Sequence, residues 1–163
     1  RFGNEIRFDD CVFFTFPEPE RLAKASAAEL SECGLGYRAK YVSKTANMMI
    51  EDGFNLESLK KAPYEKARNQ LLDFPGIGLK VADCVLLFSL GKLEAFPVDI
   101  WIKRVILKYY SRHFPTEFIK KISGERSLSD SEYAKLSLFG RKYFGRYAGY
   151  AQEYFYHYER TQL

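Results

Sequence analysis

Between residues 71 and 83 the chain reads Leu-Leu-Asp-Phe-Pro-Gly-Ile-Gly-Leu-Lys-Val-Ala-Asp. No regular helix runs through Phe74-Pro75-Gly76-Ile77-Gly78: proline lacks the N–H, and the glycines favour a sharp reversal. Both flanks are nonetheless helical in pattern, from Pro63 at a first turn to Leu72 and again from 79 to 90. Two helices joined by a Pro-Gly-apolar-Gly turn make a helix–hairpin–helix, here spanning 64–90. The glycines let the backbone approach a partner closely, and Ile77 between them packs inward. The second helix begins at the turn, so its unpaired N–H groups point outward. Such a start attracts anions, and a DNA phosphate is the obvious one. An ordinary αα-hairpin shares the glycine turn, but the run L-x-x-P-G-I-G-x-K-x-A-D is far more specific.

The rest of the chain fits an all-α class, a compact bundle of short helices. Ser26-Ala-Ala-Glu29 is a capping box, with Gly34 and Gly36 as stops. Tyr37, Tyr41, Val42 and Met48 or Met49 give helical spacing over 37–51, ended by Gly53. Further helices are expected at 56–61, 100–111, 116–123, 130–144 (opened by the capping box Ser129-x-x-Glu132) and 147–160. The stretch from Val81 to Leu90 is apolar on nearly all sides, which predicts burial. Residues 1–17 mix Phe and Ile with acids, and no strong strand pattern follows them. At 163 residues the prior is one domain, 1–163.

Charge is distributed unevenly. Residues 1–36 hold seven acids and four bases, whereas 37–49 hold Arg38, Lys40 and Lys44 and 101–112 hold Lys103, Arg104, Lys108 and Arg112 with no acid. One reading is a positive face for a polyanion; the other is a set of solvated helix faces. Arg38, Lys40, Lys103 and Arg104 are the bases expected nearest a duplex. Aromatics make up 17% of the chain, too many for the core alone, so some should line a surface or pocket. No apolar run approaches the ~18–20 residues that span a bilayer, so no membrane partner is expected. Cys11, Cys33 and Cys84 are widely spaced and odd in number, which argues against a disulfide framework and points to a reducing, intracellular setting.

Two residues carry candidate chemistry. Lys80 follows the hairpin glycines; it is either a surface lysine near a phosphate or a nucleophile. Asp99, nineteen residues on in Ala95-Phe-Pro-Val-Asp99, is placed to cap a helix, and a carboxylate fixed there can also face positive charge developing on a sugar.

Taken together, the hairpin, Lys80 and the Pro-x-Asp99 loop resemble the helix–hairpin–helix superfamily of DNA base-excision glycosylases. The 8-oxoguanine DNA glycosylases agree best, in a bacterial or archaeal-type form. Cys33-Gly-Leu-Gly-Tyr-Arg-Ala-Lys-Tyr-Val42 resembles their stretch before the hairpin, and Phe139-Gly-x5-Tyr147-Ala-Gly-Tyr-Ala-Gln152 their C-terminal helix. These blocks, in order, cover nearly the whole chain. The resemblance implies base-excision repair of duplex DNA containing 8-oxoguanine, by an N-glycosylase with abasic-site lyase activity. Lys80 matches the nucleophile that attacks C1′ and forms a Schiff base, and Asp99 the assisting aspartate. Backbone amides at Gly76, Gly78, Lys80 and Val81 match phosphate contacts. Carbonyls of Leu72, Phe74 and Ile77 match those that hold a structural cation. Gln152 matches the reader of the flipped base's Watson–Crick edge; Cys84 and Phe88 match pocket positions, and Tyr156 a stacking ring. Tyr37 and Arg38 match groups around the opposite cytosine.

No cofactor is expected in catalysis. Superfamily members with an iron–sulfur cluster usually hold it through cysteines near the C-terminus, and this chain has none after Cys84. Trp101 departs from the phosphate-contacting His of vertebrate members. The family also has an N-terminal β-rich subdomain with the Asn that fills the gap in the duplex. The chain, which starts at Arg1, therefore reads as the C-terminal part of a longer enzyme, with that missing N-terminal part as its partner. The location expected is the cytoplasm or nucleoid. Two other readings remain: a hairpin module that binds DNA without catalysis, and a glycosylase for another damaged base. A pure binder needs neither Lys80 nor Asp99.

Overall fold

Ahead of the helices the chain forms an antiparallel hairpin that the residue pattern did not announce. Strands β1 (Glu5–Phe8) and β2 (Cys11–Phe14) pair Phe8 with Cys11 and Glu5 with Phe14 across Asp9-Asp10. Asp9 sits at φ 50°, a conformation that Asp tolerates in tight turns. These features come from a computed structural model, which describes residues 1–51 and 53–161. All eight strand residues are exposed, so the alternation that marks a half-buried strand had no reason to be present.

The helices are α1 (Pro19–Lys24), α2 (Ala27–Leu30), α3 (Ala39–Glu51), α4 (Leu56–Lys61), α5 (Tyr64–Leu72), α6 (Leu79–Cys84), α7 (Ile100–Val105), α8 (Thr116–Gly124), α9 (Asp130–Phe144) and α10 (Ala148–Thr161). The Ser26–Glu29 and Ser129–Glu132 capping boxes both close reciprocally. Helices α6 and α7 widen into π-helical turns, Val85–Ser89 and Ile106–Tyr110. Helix α1 has a Pro and Glu20 in its first turn and Arg21 and Lys24 in its last, but no side-chain cap.

The chain divides into two compact units. The first comprises Arg1–Leu56 and Phe74–Gly76. Its core is Ala25, Leu30 and Ala39, with Phe2, Leu22, Leu35 and Val42 packed around them. Arg1 pairs with Glu29 and Glu32. Phe54 meets Phe74 edge-on at 4.8 Å. Gly76 lies at φ +81° with the Tyr41 ring so near that a Cβ would come within 2.6 Å of it, so both conformation and space demand glycine.

The second unit comprises Glu57–Asp73 and Ile77–Leu163. Phe96, Val98, Ile102, Ile106, Ile122, Tyr133, Leu136 and Ala148 form its core. Burial of one such large side chain stabilises by about 1.5–3 kcal/mol. Helix α10 lies along α7 and α9, and α5 along α6. Lys92 reaches the carbonyls of Lys60 and Ala62, tying the turn after the π stretch back to the end of α4.

Helix α6 and its π extension are not buried throughout. Val81 is exposed and Phe88 is 59% exposed, although the residue pattern predicts burial. Ala82, Asp83, Leu86 and Leu87 take the inner face, which leaves Val81 and Phe88 on the outer one.

Candidate active site

The second unit brings Lys80 and Asp99 to one cavity. It measures about 240 Å³ and is lined by Lys80, Val98, Asp99, Ile100, Lys103, Arg126, Ser127, Leu128 and Tyr133. Asp99 is the N-cap of α7: its Oδ1 accepts the N–H groups of Trp101 and Ile102, each at 2.9 Å. Among the described residues its Oδ2 has no hydrogen-bond partner. The carboxylate is thus fixed in direction with one oxygen uncommitted. Lys80 is exposed in the first turn of α6, which starts at extended Gly78.

Cys84 lies one turn beyond Lys80 and is half-buried. Burial pushes its thiol pKa up; the Lys80 ammonium beside it pulls down, and the charges of Asp83 and Asp99 add to the rise. The thiol is therefore neutral at neutral pH rather than a competing nucleophile, and it does not line the cavity.

Gln152 is 4% exposed in α10, and its Oε1 has no hydrogen-bond partner. A solvated glutamine is the commoner outcome on a helix surface, and a buried, unpaired acceptor is costly. Gly149, one turn earlier, explains how α10 comes so close: a Cβ there would stand 2.2 Å from Leu87 Cδ1, and its N–H donates to Leu93 O at 2.8 Å. Tyr156 is half-buried against the core, and its hydroxyl accepts from Arg160 at 2.8 Å.

Of the bases expected nearest a duplex, the two on α7 take different faces. Arg104 is exposed and stacks over Trp101 at 4.8 Å. Lys103 is instead buried, 7% exposed, with Nζ donating to Glu125 O at 2.6 Å. Helical geometry turns it inward, and its ammonium lines the cavity. In the first unit Arg38 stacks on exposed Tyr37 at 4.5 Å, and Lys40 stands over Tyr41 at 5.2 Å.

Sequence reasoning missed two contributors, Arg126 and Tyr133, and read Lys103 only as a base near a duplex, not as part of the cavity. Arg126, Lys103 and Tyr133 enter from the α8–α9 connection, the inner face of α7 and α9, and no local motif connects them to Lys80. The cavity lining holds three cations against the single Asp99 carboxylate, so its field favours an anion. Among the described residues no three of His, Cys, Asp and Glu cluster as metal ligands, and no helix is long and apolar enough to cross a membrane.

The hairpin is followed by an exposed lysine, and that lysine and a direction-fixed aspartate line one small cavity with two further cations. A model of the HhH-GPD superfamily of base excision DNA repair proteins matches residues 2–122, and the chain belongs to that family. A probable N-glycosylase/DNA lyase from Methanothermobacter thermautotrophicus is 32% identical over 178 aligned positions, covering 98% of this chain and 52% of that protein. The N-glycosylase/DNA lyase of Saccharomyces cerevisiae is 34% identical over 172, covering 93% and 45%. Among solved structures, the Clostridium acetobutylicum 8-oxoguanine glycosylase/lyase bound to duplex DNA with cytosine opposite 8-oxoguanine superposes with a TM-score of 0.82 at 31% identity, covering 98% of this chain and 50% of that one. The chain thus spans about half the length of the relatives it matches.

Proposed function

We propose that this chain carries the catalytic centre of a DNA N-glycosylase with abasic-site lyase activity, acting on 8-oxoguanine in duplex DNA. The observation that carries the reading is the placement of Lys80 and Asp99 on one cavity. The family membership and the 8-oxoguanine enzyme among its structural relatives support it.

The target base is extruded from the stack, at a cost of a few kcal/mol. Backbone amides of Gly76, Gly78, Lys80 and Val81 hold the phosphates at the hairpin, and Trp101 with Arg104 flanks them. Lys103 and Arg126 add positive potential beside the sugar. Gln152 offers its unpaired acceptor to the base edge, with Cys84, Phe88 and Tyr156 as walls. Exposure of Phe88 suits a ring that a ligand covers. Tyr37 and Arg38 meet the opposite strand near the cytosine.

In the first step the unprotonated amine of Lys80 bonds to C1′ while the C1′–N9 bond breaks. The base leaves with the bonding electrons and takes up the proton that Nζ sheds once it is bonded to C1′. The free Asp99 oxygen faces the positive charge that builds on the sugar, an effect worth several kcal/mol in a dry site. The sugar ring then opens to a protonated imine on Nζ. Loss of a C2′ proton and departure of the 3′ phosphate complete β-elimination, and water releases the lysine.

Catalysis on this reading needs no cofactor. Neutral backbone carbonyls such as those of Leu72, Phe74 and Ile77 are hard donors that suit a Group 1 or Group 2 cation, which would serve structure and charge balance alone. The exposed rings of the β1–β2 hairpin are the surface on which a further segment of the same protein would pack, and a nucleoid or cytoplasmic setting fits the substrate. Borohydride reduction during reaction with an 8-oxoguanine duplex tests the proposal. In the whole protein that carries this chain, the wild type should give a covalent protein–DNA complex and Lys80→Gln none. Trapping that survives the substitution removes Lys80 from the role.

A further inference from the structure

Asp83 is fully buried in the second unit, yet the chemistry above makes no use of it. Its Oδ1 accepts from Tyr64 Oη at 2.5 Å and pairs with Arg68 Nε at 3.2 Å. Its Oδ2 accepts from Tyr133 Oη at 2.6 Å and Ser137 Oγ at 3.2 Å. The carboxylate therefore gathers α5, α6 and α9 around one point. A charge kept dry in this way is stabilising only while its partners remain, and loss of one costs several kcal/mol in comparable sites.

One partner does more than satisfy the carboxylate. The Tyr133 hydroxyl also accepts the N–H of Val98, at 3.4 Å, and its ring lines the cavity. Val98 immediately precedes Asp99. Asp83 lies one turn after Lys80 on the same helix. The path from the lysine to the aspartate thus runs Lys80, Asp83, Tyr133, Val98, Asp99, with two hydrogen bonds crossing between three separate segments. Tyr64, Arg68 and Ser137 anchor Asp83 but have no bond to the Val98 loop.

We propose that Tyr133 is a positioning residue for the reaction, fixing the Asp99 loop against the Lys80 helix through its paired bonds to Asp83 and Val98. The proposal rests on the assignment of Lys80 and Asp99 above. Near-attack geometry is sensitive at this scale: a displacement of about 1 Å can cost 10²-fold in rate. Bond loss without a cavity shifts the loop less than that, so about a 10-fold loss is expected from the hydroxyl alone.

The test is the single-turnover rate of borohydride-trappable intermediate with an 8-oxoguanine duplex, read as rate constant and amplitude separately. Tyr133→Phe keeps the ring and removes both bonds; Tyr64→Phe takes one donor from the same carboxylate and leaves Val98 untouched. A purely structural role lowers the amplitude, as the folded fraction falls, and leaves the rate constant of the folded protein intact. The expected result is a rate constant about 10-fold lower in Tyr133→Phe, unchanged in Tyr64→Phe, with the same duplex affinity in both. An unchanged rate constant in Tyr133→Phe, or equal losses in the two variants, overturns the proposal. If Tyr133→Phe shows no cooperative unfolding transition, 3-fluorotyrosine at position 133 replaces it. That ring fits the same space; its more acidic hydroxyl donates at least as well to Asp83 and accepts more weakly from Val98, so only the Val98 bond is weakened and a smaller fall of about threefold is expected; no fall overturns the proposal. Absence of trapping in the wild type overturns the parent assignment and this one with it, and is distinguished by its failure in every variant.

Discussion

Replacing Asp99 separates its two roles. Its Oδ1 caps α7 through two amides at 2.9 Å, and among the described residues its Oδ2 is uncommitted. Asn keeps an oxygen for both amides and caps nearly as well as Asp, so Asp99→Asn should change stability by only a few tenths of a kcal/mol. Asp99→Ala removes the cap and should cost about 1 kcal/mol. The charge is lost in both. If the free oxygen faces the sugar in the transition state, each variant loses about 10²–10³-fold in the chemical step, equivalent to roughly 2.7–4 kcal/mol. The cap and the charge therefore predict opposite orderings: stability separates Asn from Ala, and rate does not. Denaturant melts measure the first, and single-turnover excision from an 8-oxoguanine duplex with protein in excess measures the second. Near-full activity in Asp99→Asn, with loss only in Asp99→Ala, would show that the aspartate acts through the helix start alone.

Three further outcomes follow from the structure. Burial and the Asp83 charge raise the pKa of both Tyr64 and Tyr133 above the ordinary value near 10, so the stability they contribute is complete below that pH and is lost as pH rises beyond it; thermal midpoints should fall above pH 10, with a shallower slope in Tyr64→Phe, and parallel slopes would contradict the assignment. Duplex binding should weaken with salt at about −0.9 in log–log slope per phosphate contacted, and Arg104→Ala should remove close to one such unit; an unaltered slope would mean that Arg104 only covers Trp101. Ile6, Phe8 and Phe13 share one face of the β-hairpin and are exposed, so the isolated 163-residue chain should self-associate in sedimentation, and Phe8→Ser with Phe13→Ser should reduce this; a monomer at all concentrations would show that the surface needs no cover.

The elements legible in the residues were those with local physical causes. Both capping boxes, the Gly76 reversal and the Asp99 cap depend on neighbours within four positions, and each is present. The β-hairpin was not legible because an exposed ribbon needs no apolar alternation, and its one cue was Asp9-Asp10 between short aromatic runs. The π turns after α6 and α7 left no sequence mark, yet they reset the faces of those helices. Motif spacing singled out Lys80 and Asp99, and the fold brings both to one cavity. The inward turn of Lys103 and the arrival of Arg126 and Tyr133 depend on how α7, α8 and α9 pack, which nearest neighbours do not encode. Asp83 stood in the motif itself, but its role needed partners at 64, 68, 133 and 137 to become visible. Gln152 shows the converse: helix periodicity leaves a glutamine in solvent, and the close approach at Gly149 buries it.

The central claim is that Nζ of Lys80 forms the bond to the sugar, and a lysine on the same cavity offers the sharpest alternative. Reaction with an abasic-site or 8-oxoguanine duplex under borohydride, followed by nuclease and trypsin digestion and mass spectrometry, locates the adduct. A modified Lys80 resists trypsin, so the account predicts the sugar remnant on the peptide from Asn69 to Lys92. A remnant on the peptide from Leu93 to Arg104 would place the bond on Lys103 and contradict it.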